Sequence, residues 1–274
     1  MKLSAVLSLV LTVIITLSSP CRAQSSSSSD RLFDKMGQAG MTFLKIGPVA
    51  RAAGMGDAFS ATSSGSESAF YNPAGLGFMN DRFDAVISHV RWAADIGVSS
   101  GAIGVPIGSK TSPFMVAAIS YVTMDYGAIH GTVINTNAND AWQEVGDLNP
   151  SEFLLGLSVA RRFTDRFSIG ITAKIVNQSL PWYNTGGEVA LGTDPIIVEE
   201  TASVRTVAFD GGTIYRTGFG SSVISMSIRN FARTQTYELH GFRLPITFQI
   251  GVATDLFDIA PSLQQSGPLI GSCG

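Results

Sequence analysis

The sequence predicts an all-β membrane protein: an antiparallel transmembrane β-barrel wall that follows an irregular amino-terminal segment. Three observations support this fold class. The chain is apolar and poor in charge, with 45% hydrophobic and 14% charged residues, whereas soluble domains carry about 25% charged residues. Apolar residues alternate with small polar residues over long segments, which is typical of strands with two different faces. Clusters of turn-forming residues separate these segments.

Eight segments carry the alternation and are predicted to be strands. In the segment 166–177, apolar side chains occupy the odd positions from Phe167 to Ile175, and small polar residues occupy most of the even ones. The lengths are close to the roughly 9–11 residues that a tilted strand needs to cross a bilayer. Strands of soluble domains more often have about 5–6 residues. The predicted strands are 83–92, 96–107, 114–124, 152–163, 166–177, 205–217, 221–231 and 245–255.

The connections between these strands differ in length. Short turns are predicted at 93–95, 164–165 and 218–220, and long polar connections at 125–151 and 178–204. Short turns on one side and long loops on the other are the pattern of outer-membrane barrels. Two phenylalanines, Phe163 and Phe167, flank the turn at 164–165, where an interfacial aromatic girdle is expected.

The first residues have the features of a cleavable signal peptide, assigned to 1–23. Lys2 supplies a positive charge, an apolar run extends from Leu3 to Leu17, and cleavage is expected after Ala23. The run is shorter than the roughly 20 residues of a permanent transmembrane helix. Residues 24–30 form a serine-rich tether. Of the two cysteines, only Cys273 remains after cleavage, so no internal disulfide is expected.

Three motifs lie between the tether and the first strand, in residues 31–82. They read Phe-Leu-Lys-Ile-Gly from Phe43, Ala-Arg-Ala-Ala-Gly-Met-Gly-Asp-Ala-Phe from Ala50, and Ala-Phe-Tyr-Asn-Pro-Ala-Gly-Leu from Ala69. Together they resemble the amino-terminal signature of the PorV/PorQ family of FadL-like outer-membrane β-barrel proteins. The segment Leu244–Phe248, followed by Gly251, is similar to a late strand of that family. The resemblance implies a barrel of about fourteen strands, with residues 31–82 as a plug or hatch.

Candidate functional residues of this plug-like segment are its glycines, its charged pair and the Asn-Pro bend. Glycine permits positive φ or a close backbone approach, and proline keeps the preceding residue out of helical geometry. The bend would fold a plug inward or open a lateral passage; a plain turn before the first strand is the alternative. Arg51 and Asp57 either pair or face a wet lumen. The set is Arg51, Gly54, Gly56, Asp57, Asn72, Pro73, Ala74 and Gly75.

The resemblance implies a non-catalytic protein of the outer membrane of a Gram-negative-type bacterium. Its function would be type IX secretion or the transport of hydrophobic molecules. The implied partners are outer-membrane lipid, secretion-system components or secreted cargo, and hydrophobic small molecules. The net charge of −3 gives no basis for a nucleic-acid partner.

No cofactor and no metal site is predicted. The three histidines, His89, His130 and His240, are scattered along the chain and lack metal-ligand spacing. The oxygen-rich run 135–140 lacks the glycine and distal glutamate of an EF-hand loop. A solvated extracellular loop is the better interpretation of that run.

Two other functions are compatible with the pattern. An exported soluble β-sandwich that binds a ligand would also alternate, with its apolar face buried, but its opposite face would carry more Lys and Glu. The run Gly97-Val98-Ser99-Ser100-Gly101 matches the motif of serine hydrolases. That motif needs a strand-to-helix elbow after the serine, and here the sequence continues as a strand.

The predicted barrel strands occupy 83–258, and residues 259–274 form an atypical tail without alternation. Eight predicted strands are fewer than the number that the resemblance implies. We therefore expect an incomplete barrel wall from a truncated or frame-shifted copy. Closure of an eight-stranded barrel by itself is the alternative.

Overall fold

The computed structural model describes residues 40–79, 81–93, 96–108, 113–134, 142–184, 198–237 and 240–259. By its contacts the chain divides into Met1–Gly37, which lies outside these ranges, and Gln38–Gly274. The predicted signal peptide, the tether, the run 135–140 and almost all of the tail also lie outside the described residues.

Strands dominate the described ranges, and helices are short. The helices are α1 (Ala50–Gly54), α2 (Ser68–Tyr71) and α3 (Leu256–Ile259), with 3₁₀ turns at Thr42–Lys45, Gly65–Glu67 and Pro73–Phe78. The strands are β1 (Asp84–Arg91), β2 (Gly97–Gly108), β3 (Pro113–Asp125), β4 (Ile129–Ile134), β5 (Trp142–Leu148), β6 (Ser151–Thr164), β7 (Phe167–Asn184), β8 (Val198–Arg216), β9 (Val223–Phe231), β10 (Gln235–Tyr237), β11 (His240–Phe242) and β12 (Thr247–Ala253). No helix in the part of the chain that the structure describes is long and apolar enough to span a membrane.

One eight-stranded sheet contains all eight predicted strands. Its order is β1-β2-β3-β6-β7-β8-β9-β12, and neighbouring strands are antiparallel. Within the described ranges, β1 and β12 form the two edges and do not pair with each other. The predicted fold class, an incomplete antiparallel barrel wall, is confirmed.

The connections differ from the prediction in two ways. The connection 125–151 contains the antiparallel pair β4–β5, and the described parts of 178–204 are strand, because β7 continues to Asn184 and β8 begins at Val198. Residues 94 and 95 of the predicted turn 93–95 lie outside the described residues, but β1 and β2 are connected at the same end of the sheet as the long connections, since Gly97 pairs with Arg91 and Asp125. An antiparallel wall places every second connection at the same end. The predicted short turns therefore do not all lie at the end opposite the long connections.

The two faces of the sheet are inverted relative to a soluble protein. On β6 and β7, Leu157 and Ile171 are 57% and 58% exposed, whereas Ser158 and Thr172 are 0% and 2% exposed. We call the apolar, exposed face the outer face and the small, polar, buried face the inner face. A soluble sandwich buries its apolar face, so this arrangement fits a wall whose outer face meets lipid.

The core lies between the inner face and the amino-terminal segment, defined here as residues 40–79. From this segment Phe59, Tyr71 and Leu76 are fully buried, and from the sheet Val98 and Val176 are almost completely buried. The rings of Phe59 and Tyr71 meet edge to face, with centroids 5.3 Å apart, a favourable aromatic geometry. The segment therefore supplies the apolar filling that covers the inner face.

Candidate functional site

The Asn-Pro-Ala-Gly motif lies at the centre of the contact between the amino-terminal segment and the sheet. Asn72 is extended, with φ −148° and ψ 98°, and caps the 3₁₀ turn Pro73–Phe78. Proline imposes this geometry because it disfavours the helical region for the residue before it. All residues of the 3₁₀ turn are buried, and the turn packs against β6, β7 and β8.

The Asn72 side chain joins three parts of the molecule. Its Oδ1 accepts a hydrogen bond from the backbone N–H of Ala74 at 3.2 Å. Its Nδ2 donates to the carbonyl oxygens of Ser60 at 3.1 Å and Thr213 at 3.3 Å. Asn72 is fully buried, so these bonds satisfy an amide that has no access to water.

Two glycines of the sheet, Gly170 and Gly212, lack side chains where the Asn-Pro-Ala-Gly motif packs. A Cβ atom on Gly170 of β7 would collide with the backbone of Pro73, and one on Gly212 of β8 would collide with the Asn72 side chain. Beside them, Ser168 Oγ donates to the carbonyl of Ala74 at 2.8 Å. Gly75 itself faces the Ser63 carbonyl, 2.6 Å from where its Cβ would lie. The motif therefore packs closely on β7 and β8, where a side chain larger than glycine at position 170 or 212 would collide with it.

The charged residues of the second motif do not pair with each other. Arg51 Nη1 lies 3.4 Å from Glu67 Oε2, and its guanidinium carbon lies 5.3 Å from the centroid of the Phe59 ring. Asp57 instead accepts a hydrogen bond from the Tyr71 hydroxyl at 3.4 Å. Burial, and then the nearby Asp57 charge, raise the pKa of Tyr71, which keeps the hydroxyl protonated as a donor.

The glycines of the second motif differ in their surroundings. Gly56 and Asp57 both have positive φ, 63° and 60°, so they form a tight left-handed turn after α1. Gly54 is the last residue of α1, and a Cβ atom there would meet nothing within 4 Å. Nothing in its surroundings requires glycine at position 54.

A buried charged cluster on the inner face was not predicted from the sequence. Lys174 Nζ on β7 donates to Asp210 Oδ2 of β8 at 2.7 Å and to Asn230 Oδ1 of β9 at 2.6 Å. The backbone N–H of Asn230 donates to Asp210 Oδ1 at 2.7 Å, and Asn230 has φ 63°. The β8–β9 register shifts between Phe209 and Gly211, so Asp210 sits at an irregularity that admits the cluster.

A small cavity separates this cluster from the amino-terminal segment. Its volume is about 40 Å³, and its lining includes Phe43, Ile46 and Phe70 on one side and Lys174, Asp210 and Arg229 on the other. Arg229 Nη1 donates to the Phe70 carbonyl at 3.2 Å. A cavity of this size holds a few water molecules. The cavity places the charged groups of the sheet opposite the apolar side chains of the amino-terminal segment.

The family described as type IX secretion system protein PorV matches residues 33–257. The chain belongs to the PorV family. No curated protein matches it. Together with the all-β fold, PorV membership makes it an outer-membrane protein related to type IX secretion, in a Gram-negative-type bacterium.

The match to PorV includes both the amino-terminal segment and the eight-stranded sheet. Of the candidate residues, the sheet contact brings together Asn72, Pro73, Ala74 and Gly75, while Arg51, Gly54 and Gly56 lie on the exposed side of the segment. The sequence alone shows Lys174 only as a single charged residue among the small residues of the inner face, and it does not show what Lys174 binds. Its partners on β8 and β9 depend on register, which periodicity does not give.

The serine-hydrolase motif lies within a strand of this PorV protein. Ser99 is in β2, which continues to Gly108, so the elbow that the motif requires does not follow it. Ser99 Oγ lies 2.9 Å from His89 Nδ1 of β1. Within the described ranges, no group of three or more His, Cys, Asp or Glu residues is placed to hold a metal ion.

Proposed function

We propose that this PorV-family protein is a non-catalytic β-barrel component of the type IX secretion machinery, embedded in outer-membrane lipid. In this proposal residues 31–82 form a plug on the inner face, and the partners are secretion-system components or secreted cargo. The observation that carries the proposal is the inversion of the two faces of the sheet.

The outer face supports the proposal because exposed apolar side chains predominate at the middle of its strands. Soluble monomers rarely expose a contiguous apolar patch above about 300–600 Å², and here exposed apolar side chains recur on strand after strand. In lipid such a surface carries no penalty, and the polar groups are kept on the inner side. Exposed members at mid-strand are Ile87, Ile103, Ile119, Leu155, Leu157, Ile171, Val207, Met226 and Ile250.

The fit of the Asn-Pro-Ala-Gly motif supports the plug. A mobile turn before the first strand would leave Asn72 solvated, yet this side chain is buried and bonds both to the segment and to β8. The inner-face glycines Gly170 and Gly212 provide room for it. A plug held in this way keeps the wall sealed while the outer face meets lipid.

Secretion is better supported than the uptake of hydrophobic molecules. The cavity between the segment and the inner face measures about 40 Å³, whereas ligand pockets typically measure roughly 300–1,000 Å³. An uptake route along this contact would require the amino-terminal segment to leave the sheet. The proposal therefore assigns the segment a sealing role.

The membrane part of the proposal is tested on envelopes of a bacterium that expresses the full chain. We expect the protein to stay in the membrane pellet after carbonate extraction and to change its gel mobility on boiling, as closed β-barrels do. Release by carbonate would contradict membrane embedding.

The secretion part is tested in a host with its own type IX system, from which the resident family member has been removed. We expect the intact chain to restore export of a type IX cargo protein, and the Asn72→Ala variant to restore less. An inserted, heat-modifiable protein that restores no export would refute the secretion role while leaving the membrane placement intact.

A further inference from the structure

The sheet divides at its long-connection end, between β8 and β9. The last pair between these strands joins Phe209 to Phe231, where β9 ends. Residues Val198–Ala208 of β8 continue beyond this point in pairing with β7. An open groove of about 660 Å³ lies where the strands part.

The floor of this groove belongs to the outer face. Its apolar lining is formed by Ile175, Val207, Phe209 and Phe231, of which the last three are more than half exposed. All of them lie on the face that the proposed function turns toward lipid. The groove is therefore continuous with the lipid-facing surface.

Two arginines line the groove on the side of the long connections. Arg205 lies on the outer face two residues before Val207, and Arg233 follows the end of β9. Both side chains are exposed, and within the described ranges no carboxylate forms an ion pair with either. Guanidinium groups are well suited to phosphate because they donate two parallel hydrogen bonds.

A third outer-face arginine shows a different environment. At the short-turn end, Arg161 lines a smaller groove of about 200 Å³. Its guanidinium carbon lies 4.2 Å from the centroid of the Phe114 ring and 5.3 Å from that of Phe163. Aromatic contacts thus occupy Arg161, whereas within the described ranges Arg205 and Arg233 are exposed and have no aromatic ring against their guanidinium groups.

We propose that the groove between β8 and β9 binds an anionic membrane lipid, with its phosphate at Arg205 and Arg233 and an acyl chain against Val207, Phe209 and Phe231. The proposal rests on the membrane placement argued above. Long connections of outer-membrane barrels lie at the cell surface, so the arginines would lie at headgroup level and the apolar floor at the depth of the acyl chains. Charge and apolar surface are ordered along the groove as they are along a lipid.

The test is native mass spectrometry of the detergent-solubilised full chain with two added lipids of identical acyl chains. Phosphatidylglycerol carries a net negative headgroup, whereas choline neutralises the phosphate of phosphatidylcholine. We expect preferential retention of phosphatidylglycerol. Each arginine near an anionic headgroup contributes about fivefold, so R205Q/R233Q should weaken phosphatidylglycerol binding about twenty- to thirty-fold and leave phosphatidylcholine binding unchanged.

The matched control is R161Q, which removes an outer-face arginine of the other groove and should leave phosphatidylglycerol retention unchanged. Equal retention of the two lipids, or equal losses in R161Q and R205Q/R233Q, would overturn the proposal. Competition by glycerol phosphate as strong as by the lipid would also overturn it, because the acyl chain would then contribute nothing. Arginine-dependent retention of a protein in place of lipid would equally count against it.

Heat-dependent gel mobility is measured first on every variant, so that loss of folding is separated from loss of binding. Where R205Q/R233Q does not fold, R233Q alone, outside the strands, should still weaken phosphatidylglycerol binding about fivefold. A carbonate-soluble protein would refute the proposed membrane function itself. An inserted protein without lipid selectivity would refute only the lipid site.

Discussion

At the scale of single residues, Asn72 concentrates the hydrogen bonding of the amino-terminal segment. Its amide caps the 3₁₀ turn through Ala74 and holds the carbonyls of Ser60 and Thr213. A buried polar group that loses its partner costs more than the bond contributes when formed. Truncation of this one side chain would remove the acceptor of the Ala74 N–H and one donor to each of the Ser60 and Thr213 carbonyls, of which Ser60 keeps its bond from Ser63 Oγ.

We predict that Asn72→Ala destabilises the folded protein by about 2–3 kcal/mol, because unsatisfied buried groups cost about 1–3 kcal/mol each and the bend relaxes in part. The measurement is the temperature or urea concentration at which the folded gel band converts to the unfolded one. Asn177→Ala, at a half-buried asparagine of β7, is the matched control and should shift the midpoint little. Equal shifts in the two variants would contradict the role assigned to Asn72.

The inner-face glycines make a second prediction at this scale. Gly170→Ala places a methyl group against the Pro73 backbone and should destabilise by about 1–3 kcal/mol, the usual cost of overpacking. In Gly211→Ala, the new methyl group meets only the Ile228 side chain at 3.7 Å, so we expect almost no change. Limited proteolysis of the amino-terminal segment gives a direct reading: faster cleavage is expected in Gly170→Ala alone.

At the scale of elements, strands β7, β8 and β9 are linked by charge as well as by backbone pairing. Lys174 and Asp210 are almost completely buried, with side chains 7% and 3% exposed. Removal of one partner of a buried ion pair leaves an uncompensated charge, whereas replacement of both is often tolerated. The cluster therefore couples three strands energetically.

We predict that Asp210→Asn and Lys174→Met each destabilise the protein by about 3–5 kcal/mol, and that the double variant loses far less than the sum. A double-mutant cycle on urea unfolding measures the coupling. The exposed pair His130–Asp147 offers the comparison, since Asp147→Asn should change stability by less than about 1 kcal/mol. Additive losses at Lys174 and Asp210 would show that the two side chains act independently.

Strand positions were predictable because each strand has an apolar outer face and a small, polar inner face, which gives the sequence a period of two. The predicted segments 114–124 and 152–163 differ by one residue at each end from β3 and β6. The extensions of β7 and β8 were missed, since Pro181 lies inside β7 and proline usually argues against an inner strand. The contact between Pro73 and Gly170 could not be predicted from the sequence, because it depends on packing between segments that are distant in sequence.

At the scale of the whole molecule, the inverted faces determine how outer-face substitutions behave. On a soluble protein, an exposed leucine tolerates a charged replacement, with effects usually within about 0.5 kcal/mol. On a lipid-facing strand the same replacement places a charge in hydrocarbon. Position along the strand then matters, because the cost falls from the bilayer midplane to the interface.

We predict that Leu157→Arg, at mid-strand on the outer face of β6, destabilises the inserted protein by about 2–4 kcal/mol, whereas Phe163→Arg, near the short-turn end, costs about 0–1 kcal/mol. Both residues are 57% exposed, so exposure alone predicts equal effects and only membrane depth separates them. The measurement is urea unfolding in vesicles, followed by gel mobility. Equal small effects at the two positions would mean that water, and not lipid, covers the outer face.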